Sequence, residues 1–406
     1  MKQIYLDYAA TTPVDPQVLE VMLPYFSEKY GNPGALYELG REAKKVITEA
    51  RKKVARILAA HENEIIFTAG GTESINLAIL GYARRNQLHG EYKGHIITTN
   101  SEHYAVLNAC AALQHQGFDV TYLPVDKDGL VKTEQVARAI RSNTILVSVI
   151  YANNEIGTIQ PIAEIGALIK RVNDERKKNN LPYLAYHSDA CQTAGYLNIH
   201  PNEIKVDLLT INGSKIYGPK GTGILYVRDG ISLEPIIYGG GQEKGLRGGT
   251  ENVPGIVGFA KALELVVASR QKESHRLIKL RDYFIDKLSK KIPQVLLNGH
   301  PTKRLPNNIN FSVLGIEGES LVLYLDAKGI SCSTGSACSA TSLEPSHVIL
   351  ALGRKAQEAH GSLRVTLGKE TTKKDLDYTL SVLPQVVKRL RSISAVKIKN
   401  HGKKKS

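Results

Sequence analysis

Short, largely apolar runs alternate with longer stretches whose apolar residues recur every three or four positions, and this alternation governs the first two-thirds of the chain. Residues 64–68, 95–98, 144–150, 206–210 and 223–227 read as strands. Between them, Val46, Ile47, Ala50, Val54, Ile57 and Leu58 fall on one helical face, as do Ile162, Ile165, Leu168, Ile169 and Val172. Buried strands separated by amphipathic helices predict an α/β fold, its mostly parallel sheet covered by helices on both faces.

The pattern changes near the glycine-rich Tyr238-Gly239-Gly240-Gly241-Gln242-Glu243 and the helical stretch that starts around Pro254. Beyond it, strands over 308–313 and 362–366 and a helix over 320–328, closed by Gly329, predict a smaller α+β unit. A last helix over 372–392 carries Pro384, which predicts a kink. The expected division is a large domain at residues 15–260, a small domain from residues 1–14 and 261–396, and a flexible basic tail at 397–406.

Composition narrows the class. At 406 residues the chain exceeds one ordinary core. It has no run of about 18 apolar residues, and Met1-Lys2-Gln3-Ile4-Tyr5 lacks the charged-then-apolar order of a signal peptide, so a cytoplasmic protein without membrane contact is expected. The four cysteines, Cys110, Cys191, Cys332 and Cys338, match neither a disulfide framework nor paired zinc ligands; free thiols and no resident metal are expected. The formal charge of +14 is mostly spread through helix patterns such as Arg51-Lys52-Lys53 and Arg176-Lys177-Lys178, which read as solvated faces. Only the tail from Lys397 concentrates charge, and it alone is a candidate for nucleic-acid contact.

Three motifs carry chemistry. Phe67-Thr68-Ala69-Gly70-Gly71-Thr72-Glu73-Ser74 follows a strand and opens a helix, where free amides and the Thr72 hydroxyl suit a phosphate. Asp189 stands at a strand end in His187-Ser188-Asp189-Ala190-Cys191-Gln192. Lys215 stands at another in Asn212-Gly213-Ser214-Lys215-Ile216-Tyr217-Gly218-Pro219-Lys220-Gly221. Phosphate cradle, carboxylate and lysine are the anchors that pyridoxal phosphate requires. His103 follows a strand, placed to stack on a flat ring and exchange protons, and the Asn153-Asn154 loop offers amides to a cofactor hydroxyl or substrate. Near the C-terminus, Ser331-Cys332-Ser333-Thr334-Gly335-Ser336-Ala337-Cys338-Ser339-Ala340 places a thiol in a run of small residues, the arrangement of a nucleophile on a movable arm.

With these segments the chain resembles the cysteine desulfurases of the iron–sulfur-cluster and nitrogenase type, in the class V aminotransferase family. The matches include Leu6-Asp7-Tyr8-Ala9-Ala10-Thr11-Thr12, Tyr30-Gly31-Asn32-Pro33, Glu102-His103, Asn153-Asn154-Glu155-Ile156-Gly157, Gly239-Gly240-Gly241-Gln242-Glu243 with Arg247 and Thr250, Gly335-Ser336-Ala337-Cys338, Glu344-Pro345-Ser346-His347-Val348 and Gly361-Ser362-Leu363-Arg364. The resemblance implies a pyridoxal-phosphate-dependent transferase of fold type I, with a sheet of the seven-stranded type in the large domain. It implies removal of sulfur from L-cysteine to give L-alanine and a persulfide on Cys338. It makes Lys215 the Schiff-base lysine, Asp189 the partner of the pyridine nitrogen and His103 the stacking group. Gly71 and Thr72 would hold the phosphate with Asn212 or Ser214, while Gln192 and Asn154 would face the phenolic oxygen. Arg364 would bind the substrate carboxylate, with Asn154 beside it. In the implied homodimer Thr250 reaches the phosphate of the other subunit. The implied sulfur acceptors are an iron–sulfur scaffold protein, where Cys338 transiently meets a cluster, and a tRNA sulfurtransferase.

A selenocysteine lyase or another class V aminotransferase would share Lys215 and Asp189 without the same dependence on Cys338. Retention of Lys215, Asp189, Arg364 and Cys338 together speaks against a non-catalytic scaffold. The chain departs from the family at Ser214 and Tyr37, where relatives carry histidine. Residues 173–182 read as an enlarged, charged surface loop, and the basic tail is unlike the family's usual end. Cys110, Cys191 and Cys332 read as packing residues.

Overall fold

A two-stranded ladder, a three-stranded sheet and a seven-stranded sheet make up the computed structural model, which describes residues 3–87, 93–334 and 344–394. Cys338 and the tail at 397–406 lie outside the described residues. The first strand, β1 (Ile4–Tyr5), precedes the main sheet of β2 (Ile65–Thr68), β3 (His95–Thr99), β4 (Asp119–Leu123), β5 (Thr144–Ser148), β6 (Ala185–Asp189), β7 (Leu208–Asn212) and β8 (Gly223–Val227), in the order β2-β8-β7-β6-β5-β3-β4. Neighbours from β7 to β4 pair in parallel, and β8 alone runs against its neighbours.

Alternate residues of these strands enter opposite cores, as the two-residue period of a strand requires. Ile65, Phe67, Ile97 and Val147 face the helices Glu38–Leu58, Ile162–Lys178 and the first part of Val253–Lys291. Ile66, Ile96 and Leu146 face a helical stretch that runs from Gly71–Asn76 through the wider turn Leu77–Gly81 to Tyr82–Arg85, together with Tyr104–His115. Both faces are therefore covered, as the buried strand pattern demanded. On Glu38–Leu58 the buried stripe is Gly40, Ala43, Ile47, Ala50, Val54 and Leu58; left-handed Ala59 ends the helix.

A second apolar core gathers around β9 (Val295–Asn298), β10 (Asn308–Val313) and, after the short β11 (Ile330–Ser331), β12 (Ser362–Thr366). Helices Gly318–Asp326 and Lys373–Ile393 cover it, and Ile4 and Leu6 enter it because β1 pairs in parallel with β11. The 39-residue helix Val253–Lys291 contributes Val253 to Val266 to the first core and Leu277, Phe284 and Leu288 to the second. No helix among the described residues is long and apolar enough to cross a membrane.

Two expectations are corrected. Residues 173–178 continue the helix Ile162–Lys178 rather than opening a loop, and Arg176 is buried, not part of a solvated face. Arg176 lies seven residues beyond Ile169, on the same apolar side, and its guanidinium donates to the carbonyls of Pro182, Arg141, Ser142 and Thr144 at 2.7–2.9 Å. Those bonds offset the cost of taking a charge out of water. Pro384, for its part, sits inside the helix Lys373–Ile393 without ending it.

Candidate active site

The carboxyl ends of β5, β6 and β7 and the segments after β2 and β3 converge on a cleft of about 410 Å³, where open α/β sheets place their ligands. Gly71, Thr72, His103, Asn154, Asp189, Gln192, Asn212, Lys215 and Arg364, widely scattered in sequence, all line it.

Gly70 has φ +145°, which turns the chain out of β2 and into the helix opening at Gly71. A Cβ on Gly71 would stand 2.7 Å from Cys191 Sγ and 3.4 Å from Asn212 Nδ2, so glycine lets three segments meet. The first amides of that helix have no intrahelical acceptor, and Gly71 and the exposed Thr72 line the cleft.

Asp189 ends β6, nearly buried, and its Oδ1 accepts the Cys191 amide at 2.9 Å. After β7, Asn212 opens the tight turn Gly213–Lys215, its Oδ1 accepting from the Ser214 amide at 3.1 Å and the Ser214 hydroxyl at 3.2 Å. That turn aims Lys215 into the cleft, where Nζ donates to the Ala10 carbonyl. Gln192 Nε2 donates to the neighbouring Ala9 carbonyl at 3.0 Å. His103 caps the helix Tyr104–His115; its Nδ1 accepts the Ala105 amide at 3.1 Å.

Arg364 reaches the cleft from β12. One terminal nitrogen pairs with Asp7 Oδ1 at 2.9 Å, the other donates to the Asn154 carbonyl at 3.0 Å, and Nε has no partner among the described residues. Its side chain is only 3% exposed. A buried guanidinium with an unused N–H at a cleft wall is suited to a carboxylate.

Two buried acids and a histidine also line the cleft, and sequence reasoning assigned them no role. Glu102 Oε1 accepts the Thr99 hydroxyl at 2.8 Å and the Ile150 amide at 3.0 Å, while Oε2 has no partner among the described residues. Burial pushes its carboxyl up to about 8, and the Asp189 charge adds to the rise. Glu155 is pushed up to about 7 by burial, against the Ser346 hydrogen bond and the Arg364 charge. His347 donates from Nε2 to the Glu102 carbonyl at 2.9 Å and lies 4.6 Å from the Tyr104 ring; burial draws its pKa down. The letters Glu102-His103, Asn154-Glu155 and Ser346-His347 were visible in the chain. Nothing local showed that these groups would meet in a desolvated cleft.

The remaining candidates lie elsewhere. Ser214 stands beside the cleft, joined to it through Asn212. Thr250 is exposed and next to a second cleft of about 260 Å³ lined by Phe67, Arg247, Gly249 and Glu251. Cys338 lies outside the described residues. The three described cysteines are all buried free thiols. Burial pushes Cys110 and Cys332 up to about 12 and raises Cys191 well above the usual thiol range, with help from Asp189, so none is poised as a thiolate near neutrality.

Known proteins resemble this chain over nearly its whole length. Residues 4–379 match the family model described as aminotransferase class-V. A cysteine desulfurase IscS of Dictyoglomus turgidum is 50% identical over 396 residues, covering 98% of this chain and 97% of its own. Among solved structures, a NifS-like protein superposes with a TM-score of 0.87 at 37% identity, covering 96% of this chain and 100% of that one. A structure described as SspA in complex with cysteine superposes with a TM-score of 0.77 at 37% identity, over 90% of this chain and 98% of that one. The chain therefore belongs to the class V aminotransferase family, among its IscS- and NifS-like cysteine desulfurases.

Proposed function

We propose that this protein is a pyridoxal-phosphate-dependent cysteine desulfurase that converts L-cysteine to L-alanine and carries the released sulfur as a persulfide on Cys338. The observation that carries the reading is the meeting of Lys215, Asp189, the helix start at Gly71 and Arg364 around one cleft. The similarity to a cysteine desulfurase over nearly the whole chain, and to a structure holding cysteine, supports the choice of substrate.

The residues present fit the cofactor. A nearly buried carboxylate, a lysine amine and a helix start where any Cβ at Gly71 would fill the gap supply acid, amine and phosphate partners in one cleft. Gly71, Thr72 and Asn212, with Ser214 behind it, would hold the phosphate; Gln192 and Asn154 would face the phenolic oxygen; His103 would lie on the ring. Bound pyridoxal phosphate supplies an electron sink for charge developing at the substrate's α-carbon.

Around it the chain's own groups divide the work. Asp189 would keep the ring nitrogen protonated, and Lys215 Nζ would anchor the cofactor and hold the proton taken from the α-carbon. Arg364 and Asn154 orient the substrate carboxylate, which brings the thiol end of L-cysteine toward Cys338. The Cys338 thiolate then bonds to the substrate sulfur as the carbon–sulfur bond breaks; the electron pair stays with carbon, which takes up a proton to become alanine. Thr250, exposed on the segment after Arg247, is assigned to the phosphate site of a second subunit in a homodimer. Free cysteines suit a reducing cytoplasm, from which an iron–sulfur scaffold or a tRNA sulfurtransferase would take the sulfur.

The deciding assay scores alanine and sulfide together from purified, cofactor-loaded protein and L-cysteine, followed by mass analysis of Cys338 for one added sulfur. Equimolar products and a persulfide are expected. Turnover undiminished in Cys338→Ser would sink the persulfide step.

A further inference from the structure

We infer that Asp7 is the positioning residue of Arg364, and that recognition of the substrate's carboxylate runs through it. The inference rests on the reading of Arg364 as the carboxylate-binding group.

The Asp7 carboxylate is held on several sides. Its Oδ1 accepts from Arg364 at 2.9 Å and from the Ser333 hydroxyl at 3.0 Å. Its backbone bridges to Thr366, and its carbonyl accepts from the Tyr5 hydroxyl at 3.0 Å and the Ala10 amide at 2.9 Å. Ser333 is itself bridged to Arg364 through the backbone, the Arg364 amide donating to the Ser333 carbonyl at 2.7 Å. A fixed oxygen thus meets an arginine whose own backbone is fixed to the same neighbour.

The consequence for the guanidinium is specific. Asp7 and the Asn154 carbonyl each take one hydrogen from a terminal nitrogen. Nε–H, buried and without a partner among the described residues, is left at the cleft wall. A carboxylate that takes two parallel N–H bonds needs the plane of the guanidinium set to within a few tens of degrees, and Asp7 sets it. Asp7 also offsets the arginine's charge in the nearly dry wall before substrate arrives, and so keeps Arg364 from turning toward the other carboxyl near it, Glu155.

The same segment also holds the lysine that lines the cleft. Ala9 and Ala10, two and three residues after Asp7, accept from Gln192 and Lys215 through their carbonyls. A single stretch of backbone therefore spaces the amine-handling lysine from the carboxylate-handling arginine, which is the dimension that tells an α-amino acid from a plain amine.

The test titrates the bound cofactor's visible absorption with L-alanine and with ethylamine, which differs from it by the carboxylate alone. In Asp7→Ala the preference for L-alanine over ethylamine is expected to fall by roughly ten- to a hundredfold, the worth of an oriented charge-assisted contact. Asp7→Asn, which keeps an oxygen acceptor, should hold the preference within about threefold of wild type. Asp7→Leu, close in volume and without an acceptor, carries the same test if Asp7→Ala does not fold. A preference unchanged in Asp7→Ala, or lost equally in Asp7→Asn, overturns the inference. Wild-type turnover of L-cysteine is scored alongside. Its absence would count against the desulfurase reading, while the amine preference would still report on Asp7.

Discussion

Ser346 Oγ donates to Glu155 Oε2 at 2.5 Å while accepting from the Ile349 amide at 3.2 Å, so one hydroxyl both caps the helix His347–Ala351 and ties it to the loop after β5. Ser346→Ala removes the cap and the donor to a buried carboxyl together. We expect a loss of about 1–3 kcal/mol in thermal or denaturant unfolding. Because Ser346 follows closely on the stretch that carries Cys338, persulfide formation should slow more than cofactor loading falls. An unaltered melting temperature would contradict the structural part of this account.

Glu102 makes stability depend on pH in an unusual direction. Its carboxyl is raised from the usual 4.5 to about 8 by burial, so between these values the folded protein holds a proton that the unfolded chain has released. Stability therefore falls as pH rises through that window and levels off above it. Glu102→Gln, which never ionises, should gain in melting temperature over wild type as melts move from about pH 5 to about pH 9. A constant difference across that range would show that Glu102 stays neutral throughout or is solvated.

The contact between Gly71 and Cys191 is testable by a pair of substitutions. Gly71→Ala alone drives a methyl to within 2.7 Å of Cys191 Sγ and should cost about 1–3 kcal/mol, with weaker retention of the cofactor. Cys191→Ala removes that sulfur, so the double variant should recover most of the loss. Strict additivity of the two losses, read by unfolding and by absorbance of the bound cofactor, would mean that the clash is relieved elsewhere.

Asp189→Asn keeps an acceptor for the Cys191 amide and removes only the charge. Alanine formation is expected to drop by roughly a hundred- to ten-thousandfold while the fold remains intact. Activity within tenfold of wild type would take Asp189 out of the proposed proton bookkeeping.

Much of this architecture was legible in the chain because burial on both faces demands continuous apolar strands. β8, β10 and β12 fall where the pattern placed them, and β3 does so within a residue. β4 and β9 escaped notice: Asp119–Leu123 and Val295–Asn298 are mostly half-buried edge strands, and they lack that signature. Lys215, Asp189 and Gly71 stood out because the chemistry tolerates few other residue types at a strand end or helix start; Arg364, in the middle of β12, stood out only through the family resemblance. Glu102, Glu155 and Arg176 did not, since what distinguishes each is burial by elements far away in sequence. A charged letter looks the same whether water or four carbonyls surround it.

The parallel pairing of β1 with β11, and the ion pair just beyond it, have a consequence for how the protein is made. Asp7 and Arg364 are 357 residues apart in the chain. At a ribosomal rate of about 5–20 residues per second, the first strand waits roughly 20 to 70 s for the arginine that completes its end of the cleft. The large sheet can assemble during that interval without it, so the nascent chain passes through a stage with its cofactor pocket nearly built and its amino-acid selectivity still missing.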